Sequence, residues 1–276
     1  MRKYILGAAG LTLISFALIF ISWTPNSLGW IHSTKNTAQA KAILSGDTLY
    51  NAYLKRLYDS AHLAQSGLNM SVFEKAVTGF YNLKNSGKIN SDKSVLTIAD
   101  MDLNSTQKRL WIVDLNKGQL LLNTWVAHGQ RSGADKAVKF SNTNDSFQSS
   151  IGFYVTGETY NGQHGRSLRL DGMDDGFNSN ARKRAIVVHG ANYVSQGTIN
   201  ALGRLGRSQG CPAVAPELAN EVINTIAGKT VLFINSSTPD YTSKYLDEHQ
   251  AAMLASSGEE QQAVQQAGEN IDSLDI

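Results

Sequence analysis

A chain of 276 residues that is 42% hydrophobic and 17% charged has the material for a sizeable core and is neither a low-complexity nor a disordered polymer. Its 25 Lys and Arg against 23 Asp and Glu leave a formal charge of +2. The basic residues are scattered rather than clustered with aromatics, which excludes a nucleic-acid partner.

The first element is an apolar run from Tyr4 to Trp23, preceded by Arg2 and Lys3 and free of charge. Residues 1–23 are expected to be a signal peptide or a signal anchor, because the run is long for an export signal and matches the about 20 apolar residues that span a bilayer. Ala38-Gln39-Ala40 has the form of a cleavage site but lies far beyond the run. The basic flank stays cytoplasmic and sends the rest of the chain outward, so the expected location is exported, periplasmic or cell-envelope. If the segment is uncleaved, it also contacts the inner membrane. Residues 24–44, rich in Ser, Thr and Asn, read as a tether.

Residues 45–90 carry two helical patterns. The first runs from about Ser45 to Gln65, with Leu49, Ala52, Tyr53, Leu57, Ala61 and Ala64 near helical spacing. In the second, Ser71 and Glu74 form a capping-box pattern, Val72, Phe73, Ala76, Val77, Phe80 and Tyr81 make an apolar stripe, and Gly87 suits the C-terminal cap. Such a stripe marks a helix packed on a neighbouring domain.

Over residues 94–236 the period changes to that of strands. Val95 to Ala99, Leu110 to Leu115 and Gln119 to Val126 lead, the last two joined by a turn at Asn116-Lys117-Gly118. Further runs cover Ile151 to Thr156, Ser167 to Leu170, Arg184 to His189 and Thr230 to Asn235, with one helix from about Pro216 to Ala227. The expected fold is mainly β with helices: a β-sandwich or open barrel preceded by a helical segment. From 243 to 276 the chain turns acidic and Gln-rich, and a loose tail is expected.

Cys211 is the one cysteine, so no intramolecular disulfide can form. In an exported protein an unpaired thiol suggests a reactive group or an intermolecular bridge. Gly210 before it permits a tight turn and Pro212 after it presets φ, which would aim the thiol outward. His189 ends an apolar run and is the candidate base, oriented by the carbonyl of Gly190. The amides of Gly210 and Cys211 are candidates for holding an oxyanion. The contrary reading is a buried, inert thiol and a structural histidine. No His-Glu-x-x-His or Cys-x-x-Cys spacing supports a metal, and no phosphate-binding glycine loop supports a nucleotide, so no cofactor is expected.

Val188-His189-Gly190 together with Arg204-Leu205-Gly206-Arg207-Ser208-Gln209-Gly210-Cys211-Pro212-Ala213-Val214 resembles the YkuD-like L,D-transpeptidase catalytic domain, closest to its divergent murein branch. The resemblance covers roughly Leu96 to Asn235 and includes Val126-Ala127-His128-Gly129, Phe140-Ser141-Asn142, Ser149-Ser150-Ile151-Gly152 and Tyr160-Asn161-Gly162-Gln163-His164-Gly165. It implies a cysteine, Cys211, that attacks a peptidoglycan stem peptide, with His189 as base, Gly190 orienting it, and Ser208 and Gly210 completing the Ser-x-Gly-Cys motif. It also implies that His128, His164 and Tyr193 line the donor groove, although turn histidines can be purely structural. Gln209 stands where the common motif has histidine, and Ala213 where it has a basic or amide residue. Arg204 and Arg207 are then the candidates for the missing cation, because guanidinium binds carboxylate bidentately; a structural salt bridge is the other reading. The implied acceptor of the acyl group is a second stem peptide, a lipoprotein lysine, a D-amino acid or water. A non-catalytic peptidoglycan-binding module would fit if Cys211 were inert.

Overall fold

Strands buried on both faces need a layer on each side of the sheet, and the chain supplies two. The computed structural model describes residues 48–253; the expected leader 1–23, the tether 24–44 and the tail from 254 onward lie outside the described residues. Eight strands form one sheet: β1 (Val95–Asp100), β2 (Leu110–Asp114), β3 (Gln119–Thr124), β4 (Gly152–Gly162), β5 (Gly165–Gly172), β6 (Val187–Gly190), β7 (Ala213–Val214) and β8 (Val231–Asn235). Their order is β3-β2-β1-β8-β4-β5-β6-β7. Only the β1–β8 and β6–β7 pairs are parallel.

The two ends of that order meet. The chain leaving β3 bridges at Ala127 to Ala213 of β7 and at Gly129 to Ser208. The Ala127 amide donates to Ala213 O at 2.8 Å, the Ser208 amide to His128 O at 2.9 Å and the Gln130 amide to Ser208 O at 2.7 Å. The result is a nearly closed eight-stranded sheet, within the expected mainly-β, open-barrel class. Its closing seam runs through the Ser-x-Gly-Cys segment.

On the outer face lie helix α1, over residues 48–60, and helix α2 (Met70–Asn85). Leu54, Phe73 and Phe80 from these helices share one core with Trp111, Phe153 and Phe233 from the strands, each of them at most 2% exposed. Burying one such side chain contributes about 1.5–3 kcal/mol. The helical segment is therefore part of the same folded body as the sheet. Gly79 of α2 shows how close the layers come: a Cβ there would collide with the ring of Phe153. Trp111 ties the layers further, donating from Nε1 to the Ser66 hydroxyl at 2.9 Å.

The inner face is closed by helix α4 (Pro216–Ile226), which starts with proline at its first turn and buries Val222, Ile223 and Ile226 against Ile112, Tyr154, Leu170, Val188 and Ile234. A short helix α3 (Gln196–Leu202), not anticipated from the sequence, lies between β6 and β7, capped by Ser195 and by Gly203 in the left-handed conformation. Among the described residues no helix is long and apolar enough to cross a membrane.

Three expectations change. The N-cap of α2 is Asn69 rather than Ser71: the helix begins at Met70, and the Asn69 side chain accepts from the Ser71 amide at 2.9 Å. Strand β4 runs six residues beyond Thr156, crossing a bulge between Thr156 and Thr159 into the hairpin with β5. The segment from 243 starts as ordered structure, because Tyr245, Ala251 and Ala252 are buried and Asn82 of α2 donates to Tyr245 O and Asp247 O.

Candidate active site

The turn that carries Cys211 is held by Ser208. The Ser208 hydroxyl accepts from the Gly210 amide at 3.0 Å and donates to Cys211 O at 2.6 Å. Gly210 has φ +124°, and a Cβ there would stand 2.8 Å from Gln148 O, so only glycine fits. Because its amide is committed to Ser208, Gly210 is withdrawn from the expected oxyanion pair. Of the two amides expected there, that of Cys211 is left.

Strand pairing brings base and thiol together. His189 pairs with Ala213, two residues past Cys211, and both His189 and Cys211 line one cavity of about 500 Å³. His189 is buried, and its Nδ1 lies 2.9 Å from Gly190 O. A carbonyl oxygen only accepts, so Nδ1 carries the proton and Nε2 is left as the basic nitrogen. Burial lowers the His189 pKa and the charge of His164 lowers it further, while the Gly190 carbonyl opposes both. The partly buried Cys211 donates from Sγ to Ala185 O at 3.7 Å. Burial pushes the thiol up, against smaller opposing effects from the Val187 backbone and the Arg184 charge. Both shifts favour the uncharged forms, a thiol and an imidazole that line one cavity.

Of the other residues expected at the site, His164, Tyr193, Arg207 and Gln209 line the same cavity. The His164 ring stacks on that of His189 from the tip of the β4–β5 hairpin. Tyr193 is raised to about 12, first by burial and then by the Cys211 charge. Arg207 donates to Gly133 O at 2.8 Å and Gln130 O at 3.2 Å, so backbone carbonyls rather than carboxylates hold it. Arg204 is turned to Leu205 O at 2.7 Å and lies outside the cavity lining.

His128 is placed away from the cavity, contrary to its expected position in the groove: it is fully buried, with Nδ1 2.8 Å from Nη2 of the equally buried Arg109. Guanidinium only donates, so Nδ1 accepts and the proton sits on Nε2, facing Gly133 O at 3.4 Å. Burial, then the Arg109 charge, lowers this histidine to about 4. Its work is to hold the seam.

Several cavity residues were not singled out from the sequence: Gln130, Asp145, Phe147, Arg184 and Ala185. Asp145, Phe147 and Ala185 are non-glycine residues at positive φ, and such backbone strain concentrates at functional sites. Among the described residues no group of three or more His, Cys, Asp or Glu is placed to hold a metal ion.

A nearly closed β-sheet with a histidine and the chain's one cysteine in a cavity at its seam is the architecture these elements build. Residues 64–235 match the YkuD_2 family, the L,D-transpeptidase catalytic domain, and the chain belongs to that family. No curated protein matches it. Solved structures similar to it include an L,D-transpeptidase from Mycobacterium smegmatis, 13% identical over 52% of this chain and 59% of that chain, with a TM-score of 0.33. The helical cell shape determining protein Pgp2 from Campylobacter jejuni is 14% identical over 64% and 62%, with a TM-score of 0.36. An L,D-transpeptidase from Mycobacterium tuberculosis is 15% identical over 52% and 58%, with a TM-score of 0.31. The chain spans about six-tenths of the length of each.

Proposed function

We propose that the protein is a cysteine-dependent peptidoglycan L,D-transpeptidase. The observation that carries this is the His189–Gly190 hydrogen bond, which leaves a basic Nε2 in the cavity that holds the chain's one thiol. His189 takes the thiol proton as Cys211 Sγ attacks the carbonyl joining the third residue of a stem tetrapeptide to its terminal D-alanine. The C–N bond breaks, D-alanine leaves with the proton from His189, and a thioester remains on Cys211. The side-chain amine of a second stem then attacks the thioester and gives up a proton, forming a 3-3 cross-link and restoring the thiol; a lipoprotein lysine or a D-amino acid is an alternative acceptor. The Cys211 amide, at the turn fixed by Ser208, faces the developing oxyanion. This chemistry belongs to the exported side of the cell envelope, to which residues 1–23 would deliver or tether the domain.

The test is mass spectrometry of muropeptides incubated with wild type and Cys211→Ala. Cross-linked dimers and free D-alanine with wild type, and neither with Cys211→Ala, are expected. Tripeptides without dimers would make the protein an L,D-carboxypeptidase. Peptidoglycan binding with no turnover by wild type would reduce it to a binding module.

A further inference from the structure

Among the described residues Arg184 is a cation with no carboxylate partner, and it lines the cavity that holds the thiol. Its Nη1 donates to Ser141 O at 2.5 Å and the Ser150 hydroxyl at 3.2 Å, and its Nη2 to the Ser146 hydroxyl at 3.1 Å and Gln148 O at 2.6 Å. All four acceptors are neutral, and among the described residues no carboxylate pairs with it. Four hydrogen bonds to one stretch of chain, residues 141–150, fix where the guanidinium lies without neutralising it.

The other side of the group faces the nucleophile turn. Nη2 stands 3.3 Å from where a Cβ on Gly210 would be, so a side chain on Gly210 would meet the guanidinium. The next residue, Ala185, is held at φ +53° and gives its carbonyl to Cys211 Sγ. Arg184 and Cys211 line the same cavity. Among the described residues Arg207 is the other cation of this cavity, and Arg184 is the one whose charge acts on Cys211. Ala213, two residues past the cysteine, is uncharged; Arg204 is turned away, and Arg207 is held at Gln130 and Gly133.

We infer that Arg184 is a positioning residue that keeps a fixed positive charge beside Cys211 and so stabilises its thiolate when His189 withdraws the proton. Loss of that charge leaves the Val187 backbone alone to oppose burial and makes the thiol harder to ionise. With both Nη1 and Nη2 already engaged by two acceptors each, the guanidinium acts as a fixed charge rather than a fork for a substrate carboxylate. The role rests on Cys211 being the nucleophile proposed above, but ionisation of the thiol is measured without any cell-wall substrate.

The experiment is the pH dependence of Cys211 alkylation by iodoacetamide in wild type, Arg184→Gln, Arg184→Lys and the charge-preserving control Ser146→Ala. The other titratable groups facing the thiol are His189, Tyr193, Asp145, Tyr160, His164 and Arg207, and they are the same in all four proteins. Arg184→Gln should raise the midpoint by about one pH unit, equivalent to about tenfold less thiolate at neutral pH. Arg184→Lys should recover most of the loss, and Ser146→Ala should leave the midpoint where it is. A folded Arg184→Gln with the wild-type midpoint overturns the inference, as does a Ser146→Ala shift of the same size. Should Arg184→Gln not fold, the wild-type protein decides by NMR. The Arg184 guanidinium resonance should titrate with the thiol midpoint and stay flat in Cys211→Ser, and a resonance that ignores that midpoint overturns the inference. The two readings fail separately: D-alanine release with an unmoved Arg184→Gln midpoint sinks this one, whereas a moved midpoint with no release sinks the proposed function.

Discussion

The imidazole of His164 lies against that of His189 with ring centroids 4.2 Å apart and planes inclined by 19°. His164 sits in the turn between β4 and β5, so the tip of that hairpin covers the base and adds to its low pKa. Replacing His164 by Ala removes both a neighbouring positive charge and a covering ring. Each change favours the protonated base, so the His189 midpoint should rise toward the ordinary value of about 6.5 and the acid limb of kcat/KM should move to higher pH. NMR titration of the His189 ring reads this directly. An unmoved or lowered midpoint would mean that the stack has no electrostatic consequence.

His128 and Arg109 tie stability to pH. The native chain holds His128 at about 4, while the unfolded chain binds that proton near about 6.5. Between those values the unfolded state carries more protons, so stability falls as pH drops through the window and levels off below about 4. The gap corresponds to about 3 kcal/mol. His189, also lowered, contributes in the same direction. His128→Gln keeps an acceptor for Arg109 but cannot titrate, so urea unfolding at pH 4.5 and pH 7 should differ much less in this variant than in wild type. An equal difference in the two proteins would refute the assignment.

Ser208→Ala should loosen the nucleophile turn without touching the thiol. It strips the buried Gly210 amide of its acceptor and the Cys211 carbonyl of a donor, at a cost of about 1–3 kcal/mol. Chemical denaturation should show that loss, with kcat falling more than substrate binding weakens. A variant with wild-type stability and kcat would show that the turn is held by other means.

For Gly79→Ala two effects compete. Alanine favours a helix over glycine by about 1 kcal/mol, but its methyl meets the Phe153 ring in a packed core, where overfilling costs about 1–3 kcal/mol. Packing should win and Tm should fall. A higher Tm would place α2 farther from β4 than described.

The proposed nucleophile and base, which the structure places on one cavity, stood out in the sequence because each is chemically conspicuous: one cysteine between glycine and proline, and one histidine ending an apolar run. The strands were legible from their apolar runs, but β7 was not, since two residues make no pattern and their pairing depends on closure of the sheet. No residue of helix α3 is fully buried, and Ile199 alone packs partly buried on the core, so no apolar stripe announced it, although Ser195 and Gly203 were there as caps. Arg184 was hidden in Arg182-Lys183-Arg184. Arg182 turns outward to Asp171 and Glu158, Lys183 is exposed, and Arg184 turns inward. That choice is tertiary. His128 misled for the converse reason: a histidine before glycine looks like a groove residue until Arg109 is found buried against it.

The seam at Ala127–Ala213 and Gly129–Ser208 also bears on solubility. A sheet whose ends meet offers no long row of unpaired N–H and C=O groups to a second chain, whereas an opened one offers two. The proposed nucleophile and the latch of the sheet are thus one stretch of chain. Damage at residues 208–213 that springs the latch should appear first as self-association of otherwise folded molecules, and loss of turnover in such variants has to be read beside their aggregation state.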